Sequence, residues 1–432
     1  VFSYNTPSQR YRLVGEVTLP GDKSISHRAI MFGSQAKGVT QITNFTISDD
    51  LLTTIDVFKS LGAKINFEPF SKDLIIKGTN HQFLPIDKPL NVRNVGELQG
   101  LLYGFLASID NPYTVTGGAF LENRLRDDVL DPLQKMGLKV NYVGQSKLPV
   151  EITGTDSLKG IDYTQDISNA QVKSSLVLSG IYGNSPTRIH RKYVTRNHTE
   201  NLANYFGADI KTTPDLITIN PLKQNLQGKD IFIPGDFSSA AIYIVCAILS
   251  KDSEIKVKNI CLNSTRTGLL TVLESMNGTY ELENLSVDKV EPYGDLIVKS
   301  QKLSGTVIPG KILPLIIDEL PLIVLMASQA DGDTVIEDIS DAMVQIHERL
   351  KVMKEELEKL NIKIKNDGDK VIIKGNQKIT LKGILDSHYD HRIAMMLIVA
   401  ANLIDQSLQI KNIEVIDVSY PNLLNDIKKI IV

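Results

Sequence analysis

Just after a Pro-Gly turn, the stretch PGDKSISHR (Pro20–Arg28) sets Lys23, Ser24 and Arg28 close together. The preceding EVTLP reads as a strand and the following residues as a helix. Backbone N–H groups at a helix start point outward, and an ammonium, a hydroxyl and a guanidinium add further donors. That combination suits a phosphate or carboxylate. Solvated charges on a capped helix account for the same residues without a ligand. Thr195 and Arg196 precede a helix with Thr199 and Glu200 in its first turn, which also reads as an N-cap. Gln171 and Lys173 open another helix in NAQVKSS, whereas STRTGLL reads as a structural helix start. Asp318 and Glu319 sit in the apolar IIDELP, where a carboxylate needs cationic partners or its pKa rises. A proton-transfer group and a structural ion pair both fit that setting. Arg349 and the run Asp390, His391, Arg392 supply more cations near helices. Dinucleotide, Walker and HExxH patterns are absent from the sequence.

The elements that must hold these residues repeat. PGDFSSAAI begins at Pro234, 214 residues after PGDKSISHR, close to half of the 432-residue length. The second copy has Phe237, Ala241 and Ile242 where the first has Lys23, His27 and Arg28. A finer repeat is an amphipathic helix, a Gly or Asn stop and a β-prone step. DVFKSLGAKI ends at Ile65, DPLQKMGLKV at Val140, ENLANYFGADI at Ile210, LTVLESMNGTY at Tyr280 and KEELEKLNIKI at Ile364. YPNLLNDIKKI offers a sixth, degenerate helix at the C-terminus. The pattern predicts six units, three per half, in two similar α/β (α+β) domains with an inter-domain cleft, where ligand sites are preferred. The expected domains are 15–230, and 1–14 together with 231–432.

Composition limits the partners. A net charge of −3 gives no global reason to expect nucleic acid or an anionic membrane. Apolar runs such as 393–401 fall far below the roughly 18 residues a membrane span needs. Cys246 and Cys261 read as buried thiols rather than a disulfide framework or zinc site. The opening segment shows no secretory signal, and a first residue Val rather than Met suggests that residues precede it. A soluble cytoplasmic monomer is expected.

Seven stretches, in order over nearly the whole length, identify the chain as similar to the 5-enolpyruvylshikimate-3-phosphate synthase family. They are LPGDKSISHRAIM, NAQVKSSLVLSG, TRNHTE, PGDFSSAA, NSTRTGLL, IIDELPLIVLMASQA and DHRIAMM. The related UDP-N-acetylglucosamine enolpyruvyl transferases fit less well, because the loop TGGAFLENR lacks their cysteine. The resemblance implies two domains, each of three βαβαββ-type units. It implies transfer of the enolpyruvyl group of phosphoenolpyruvate to the 5-hydroxyl of shikimate 3-phosphate, or an analogue, with release of phosphate. It requires no metal or organic cofactor. By position, Lys23, Gly96, Arg124, Gln171, Arg349 and Arg392 would face phosphoenolpyruvate. Ser24, Arg28, Gln171, Thr195 and Asp318 would face shikimate 3-phosphate. Lys23 and Asp318 would be catalytic, Asp318 taking the proton of the attacking hydroxyl.

Several positions depart from that family's pattern. Asn94-Val95-Gly96-Glu97 stands where the family has Asn-Ser-Gly-Thr, which would set a carboxylate against incoming phosphoenolpyruvate. Gly100 replaces an Arg, Arg126 the Met of Arg-Pro-Met, and Asn169 a Ser. Gln345 and Ile346 replace a Lys that would hold the shikimate ring and a Glu that would protonate the enol carbon. Weak or altered activity is one expectation. The alternative is a non-catalytic or neofunctionalised relative that binds anionic ligands or uses another acceptor.

Overall fold

A computed structural model of the chain describes residues 3–7, 9–68, 70–122, 126–143, 147–166, 168–287, 289–339 and 344–432; for Ser3 and residues 344–348 it describes the backbone alone. The chain forms two compact units. One comprises Gly21–Ile233, the other Val1–Pro20 with Pro234–Val432. In the first unit lie the helices α1 (Lys23–Gln35), α2 (Asp49–Ser60), α3 (Gly96–Leu106), α4 (Asp127–Met136), α5 (Ala170–Gly180) and α6 (His198–Phe206). In the second lie α7 (Phe237–Leu249), α8 (Gly268–Ser275), α9 (Leu320–Ser328), α10 (Val344–Lys359), α11 (His391–Ala401) and α12 (Leu423–Ile430).

The expected repeat is present. In one example, strand Asp162–Gln165 leads into α5, strand Thr187–Arg191 follows, then α6, then strands Asp209–Thr212 and Leu216–Asn220. The first two strands pair in parallel, with Asp162 opposite Arg188, and the others pair antiparallel. The spatial order is therefore first, second, fourth, third. The described residues form five four-stranded sheets and one of three strands.

The stop residues explain the spacing seen in the sequence. Gly62, Gly137, Gly207, Asn277 and Asn361 follow α2, α4, α6, α8 and α10 with φ of 107°, 125°, 114°, 60° and 62°. Glycine and asparagine tolerate this left-handed turn, which reverses the chain into the next strand. The residues just before them, Leu61, Met136, Phe206, Met276 and Leu360, are all fully buried. Each helix is thus pinned at its end by an apolar anchor. Cys246 and Cys261 are both buried.

The boundaries at 15 and 230 need correction. Strand Val14–Thr18 pairs in parallel with Glu254–Cys261, and strand Asp230–Phe232 pairs in parallel with Val39–Thr43. Residues 15–20 therefore belong with the C-terminal half, and 231–233 with the unit of α1. Hydrogen bonding to a neighbouring strand decides this, and the sequence does not show which neighbour each strand takes. The two Pro-Gly-Asp motifs are consequently the two places where the chain passes between units. In each, the Asp caps the next helix. Asp22 accepts from Ile25 N (2.9 Å), and Asp236 accepts from Ser238 N (2.8 Å) and Ser239 N (3.2 Å).

The two glycines of these motifs are not equivalent. A Cβ on Gly21 would lie 2.4 Å from the Asn44 carbonyl oxygen, a backbone atom, whereas one on Gly235 would meet the Leu19 side chain at 3.2 Å. Thermal denaturation should show Gly21→Ala lowering Tm by several degrees, consistent with an overpacking cost of about 1–3 kcal/mol. Gly235→Ala should shift it much less. Equal shifts would show that backbone crowding is not what excludes a side chain at position 21.

Candidate active site

In the first unit three helix starts are joined by hydrogen bonds, each belonging to the first helix of a repeat. Lys23, Ser24 and Arg28 come from α1, Gly96 and Glu97 from α3, and Gln171, Lys173 and Ser174 from α5. Arg28 is the hub and is 3% exposed. Its Nε donates to Thr199 Oγ1 at 2.7 Å. Its Nη1 donates to the Ser24 carbonyl at 2.8 Å and to Glu97 Oε1 at 2.7 Å, and its Nη2 donates to Ser174 Oγ at 3.3 Å. Ser24 Oγ donates to Glu97 Oε2 at 3.1 Å. Lys23 pairs with Asp50 at 2.8 Å.

This is not the placement expected for Glu97. The resemblance sets it against phosphoenolpyruvate, but its carboxylate lies on Ser24 and Arg28, the residues assigned to shikimate 3-phosphate. A carboxylate in the first turn of α3 suits the helix dipole, and the guanidinium is the strongest donor in reach. Burial alone would raise the Glu97 carboxyl. Arg28, His27 and Lys23 outweigh it and hold that carboxyl well below the usual range. Burial lowers His27 to about 4, so the ring is neutral at pH 7, with Nδ1 2.7 Å from Thr54 Oγ1.

Beside this cluster Arg126, 4% exposed, donates from Nη1 to Gln171 Oε1 at 2.6 Å and from Nε to Asp128 Oδ1 at 3.3 Å. Its guanidinium fills the space next to Gly100, where a Cβ would lie 2.9 Å from Nη2. The arginine missing at 100 is thus met by one arriving from 126. Asn169 caps α5 through Oδ1 to Gln171 N (2.9 Å), and its amide donates to Asp128 Oδ2 at 2.7 Å. Lys173, fully buried, pairs with Glu200 at 2.7 Å and donates to the carbonyls of Thr195 (3.3 Å) and Arg196. Burial lowers the Lys173 pKa, and Glu200 opposes that. Lys173 therefore holds the loop carrying Thr195. Arg124 lies outside the described residues.

The second unit has its own cluster, again at first-helix starts. Asp318 lies just before α9. Its Oδ1 is 3.3 Å from Arg349 Nη1, and its Oδ2 is 3.4 Å from Arg392 Nη2 and 3.8 Å from Arg266 Nη1. Arg349 also reaches Asp390 Oδ2 at 3.2 Å and the Ile317 carbonyl at 2.6 Å. Burial would lower the Arg349 pKa, but Asp390 and Asp318 outweigh it and raise it. Asp390 caps α11 with its other oxygen, accepting from Arg392 N at 2.7 Å. Arg266, 2% exposed, bonds Asp236 Oδ1 at 3.2 Å and Ser238 Oγ at 3.0 Å, which ties α7 into the cluster. Arg266 lies in STRTGLL, the stretch expected to be a structural helix start, and these bonds accord with that role. The side chains of Gln345 and Ile346 lie outside the described residues.

These repeats, with cations gathered at their helix starts, match a known pattern over nearly the full length. A sequence profile described as EPSP synthase (3-phosphoshikimate 1-carboxyvinyltransferase) matches residues 7–427. The chain belongs to the EPSP synthase family. It is 38% identical over 429 residues to the 3-phosphoshikimate 1-carboxyvinyltransferase of Petrotoga mobilis, covering 98% of each chain. It is 41% identical over 419 residues to that of Oenococcus oeni, covering 96% of this chain and 95% of the relative. A solved EPSP synthase structure from Acinetobacter baumannii superposes with a TM-score of 0.88 at 32% identity, over 99% of this chain and 98% of that one. The enolpyruvyl transferase NikO from Streptomyces tendae shares the fold, with a TM-score of 0.78 at 16% identity, over 99% of this chain and 97% of that one. This EPSP synthase family member has no helix among its described residues long and apolar enough to cross a membrane.

Sequence reasoning missed Ser174 and Asp50. It placed Thr199, Lys173 and Glu200 at helix starts without pairing Thr199 with Arg28 or Lys173 with Glu200. Ser174 and Thr199 lie inside quoted motifs, so the available signal was their i, i+1 and i, i+4 placement beside Lys173 and Thr195. Asp50 carried no signal.

Two outcomes follow for this family member. His27 and His81 both have pKa values lowered to about 4 by burial. Between about pH 6.5 and 4 the unfolded chain binds more protons at these residues, so their contribution to stability falls as pH falls, by up to about 1.4 kcal/mol per pH unit for each. Denaturant titrations should show a shallower fall in that window for His27→Gln; an unchanged slope would refute a buried neutral ring. Lys173→Met should lower stability by about 3–5 kcal/mol by stranding Glu200. Lys173→Met with Glu200→Leu should recover much of that, and a double variant no better than the single one would count against the pair.

Proposed function

We propose that this chain transfers the enolpyruvyl group of phosphoenolpyruvate to the 5-hydroxyl of shikimate 3-phosphate, in aromatic amino acid biosynthesis. The new bond joins the 5-oxygen to C2 of phosphoenolpyruvate. The C2–O bond to phosphate breaks, inorganic phosphate leaves and the hydroxyl proton is lost. The observation that carries this reading is the family match across residues 7–427.

In this reading Lys23, Gly96, Arg124, Gln171, Arg349 and Arg392 bind phosphoenolpyruvate. Ser24, Arg28, Gln171, Thr195 and Asp318 bind shikimate 3-phosphate. Asp318 accepts the proton of the attacking hydroxyl, and Lys23 supports the departing phosphate. Two phosphorylated substrates that leave water need this many cations, because desolvated anions must be paired. The reactive enol is already present in phosphoenolpyruvate, so the chemistry calls on no organic cofactor or metal. Ile346 has no ionisable proton to give, so protonation of the methylene carbon is the step for which the chain is least equipped. Arg28 already holds Glu97. That observation favours the second reading, an anion-binding relative with another acceptor or no turnover.

Phosphate release from phosphoenolpyruvate plus shikimate 3-phosphate decides between them. Turnover in the wild type, lost by a factor of about 10² or more in Asp318→Asn, is the expected result for a general base. Ile346→Glu should raise turnover. No release at saturating substrate, with binding intact by calorimetry, would replace the transferase reading with the second one.

A further inference from the structure

At the head of α1 a buried arginine is neutralised by a carboxylate of the same chain. Arg28 is buried, and its hydrogen-bond partners other than Glu97 are uncharged: the Ser24 carbonyl and the Ser174 and Thr199 hydroxyls. Its ion pair is with Glu97 at 2.7 Å. The other Glu97 oxygen takes the Ser24 hydroxyl. Both protein groups that would greet an anion there are therefore engaged by one carboxylate. The Glu97 side chain remains 21% exposed, so its carboxylate sits where a solvent-borne anion would arrive, not behind Arg28 in the core. Lys23 beside it is likewise matched to Asp50.

We propose that Glu97 is a built-in plug of the Arg28–Ser24 subsite, so that this subsite selects against a phosphate or carboxylate ligand until Glu97 is displaced. The proposal rests on the reading of Arg28 and Ser24 as substrate ligands and adds what controls them. A tethered carboxylate competes at an effective concentration that a free anion reaches only in the millimolar range. A ligand entering with Glu97 in place must meet a carboxylate, so it is favoured if it presents a hydroxyl or ammonium donor there. Removing Glu97 leaves a buried guanidinium in need of an anion.

The test uses the full chain and inorganic phosphate as the probe, by calorimetry and thermal denaturation at low salt. Glu97→Ala should lower Tm in phosphate-free buffer, regain it on addition of phosphate, and bind phosphate about tenfold or more tighter than wild type, the scale of a charge-assisted hydrogen bond. Glu97→Gln keeps the size and loses the charge, and should also gain affinity. Arg28→Met added to Glu97→Ala should abolish the gain. Equal phosphate affinity in wild type and Glu97→Gln overturns the proposal, and this arm stands even if the alanine variant does not fold. A gain that survives loss of Arg28 overturns it too. Wild-type turnover of phosphoenolpyruvate with shikimate 3-phosphate is read separately. Absent turnover with a phosphate gain at Glu97 removes the transferase reading and leaves the plug; turnover without that gain does the reverse.

Discussion

A cation withdrawn from water must find an anion, and this requirement organises both candidate clusters. Arg28, Arg126, Lys173 and Arg266 are almost completely buried. Leaving any of them unpaired would cost several kcal/mol, about 3–5 for a broken buried pair. The partners are Glu97, Asp128, Glu200 and Asp236. Glu97 and Glu200 sit in the first turns of α3 and α6, and Asp236 caps α7. Carboxylates are favoured at those positions by the helix dipole in any case. One residue type thus serves the start of a helix and the neutralisation of a buried cation, so local helix formation and pocket chemistry are coupled.

The repeat explains why those helix starts meet. In the repeats of α3, α5, α9 and α11 the first helix follows a strand of its own sheet, whereas α1 and α7 each follow a strand that pairs in the other unit. In Gly21–Ile233, hydrogen bonds from Arg28 join α1 to the starts of α3 and α5. In the other unit Arg392 of α11 reaches Asp318 ahead of α9, and Arg266 connects Asp318 to the cap of α7. Three repeats therefore give three helix starts per cluster. The left-handed Gly or Asn stops fix where the second helix of each repeat ends, and with it the register of the strands that follow. A family with this architecture can change its ligand chemistry by exchanging residues at helix starts without disturbing the sheets. In this chain the guanidinium of Arg126 occupies the space beside Gly100.

Much of the fold was legible before any coordinates. The Gly and Asn stops are local events, set by backbone sterics at a single residue, so five repeats could be read from their spacing. The apolar anchors before them obey the same local rule. Family membership was legible as well, because the motifs at Lys23, Gln171, Thr195, Asp318 and Arg392 are contiguous strings. The caps at Asp22, Asp236 and Asp390 are local too, since each contacts residues two or three positions away, but they were seen only in the structure.

Tertiary structure alone decided the rest, because it depends on residues far apart in the chain. Strand Val14–Thr18 looks continuous with α1, yet its hydrogen bonds go to a strand some 240 residues later. Glu97 carries a negative charge in any conformation, but only packing of α1 against α3 shows that it faces Arg28 and Ser24. Asp50 became the partner of Lys23, and Thr199 of Arg28, through contacts 27 and 171 residues apart in sequence. Local sterics wrote the repeats and their stops into the sequence. Which cation meets which carboxylate depended on long-range packing, since a charge has no sequence signature for its partner.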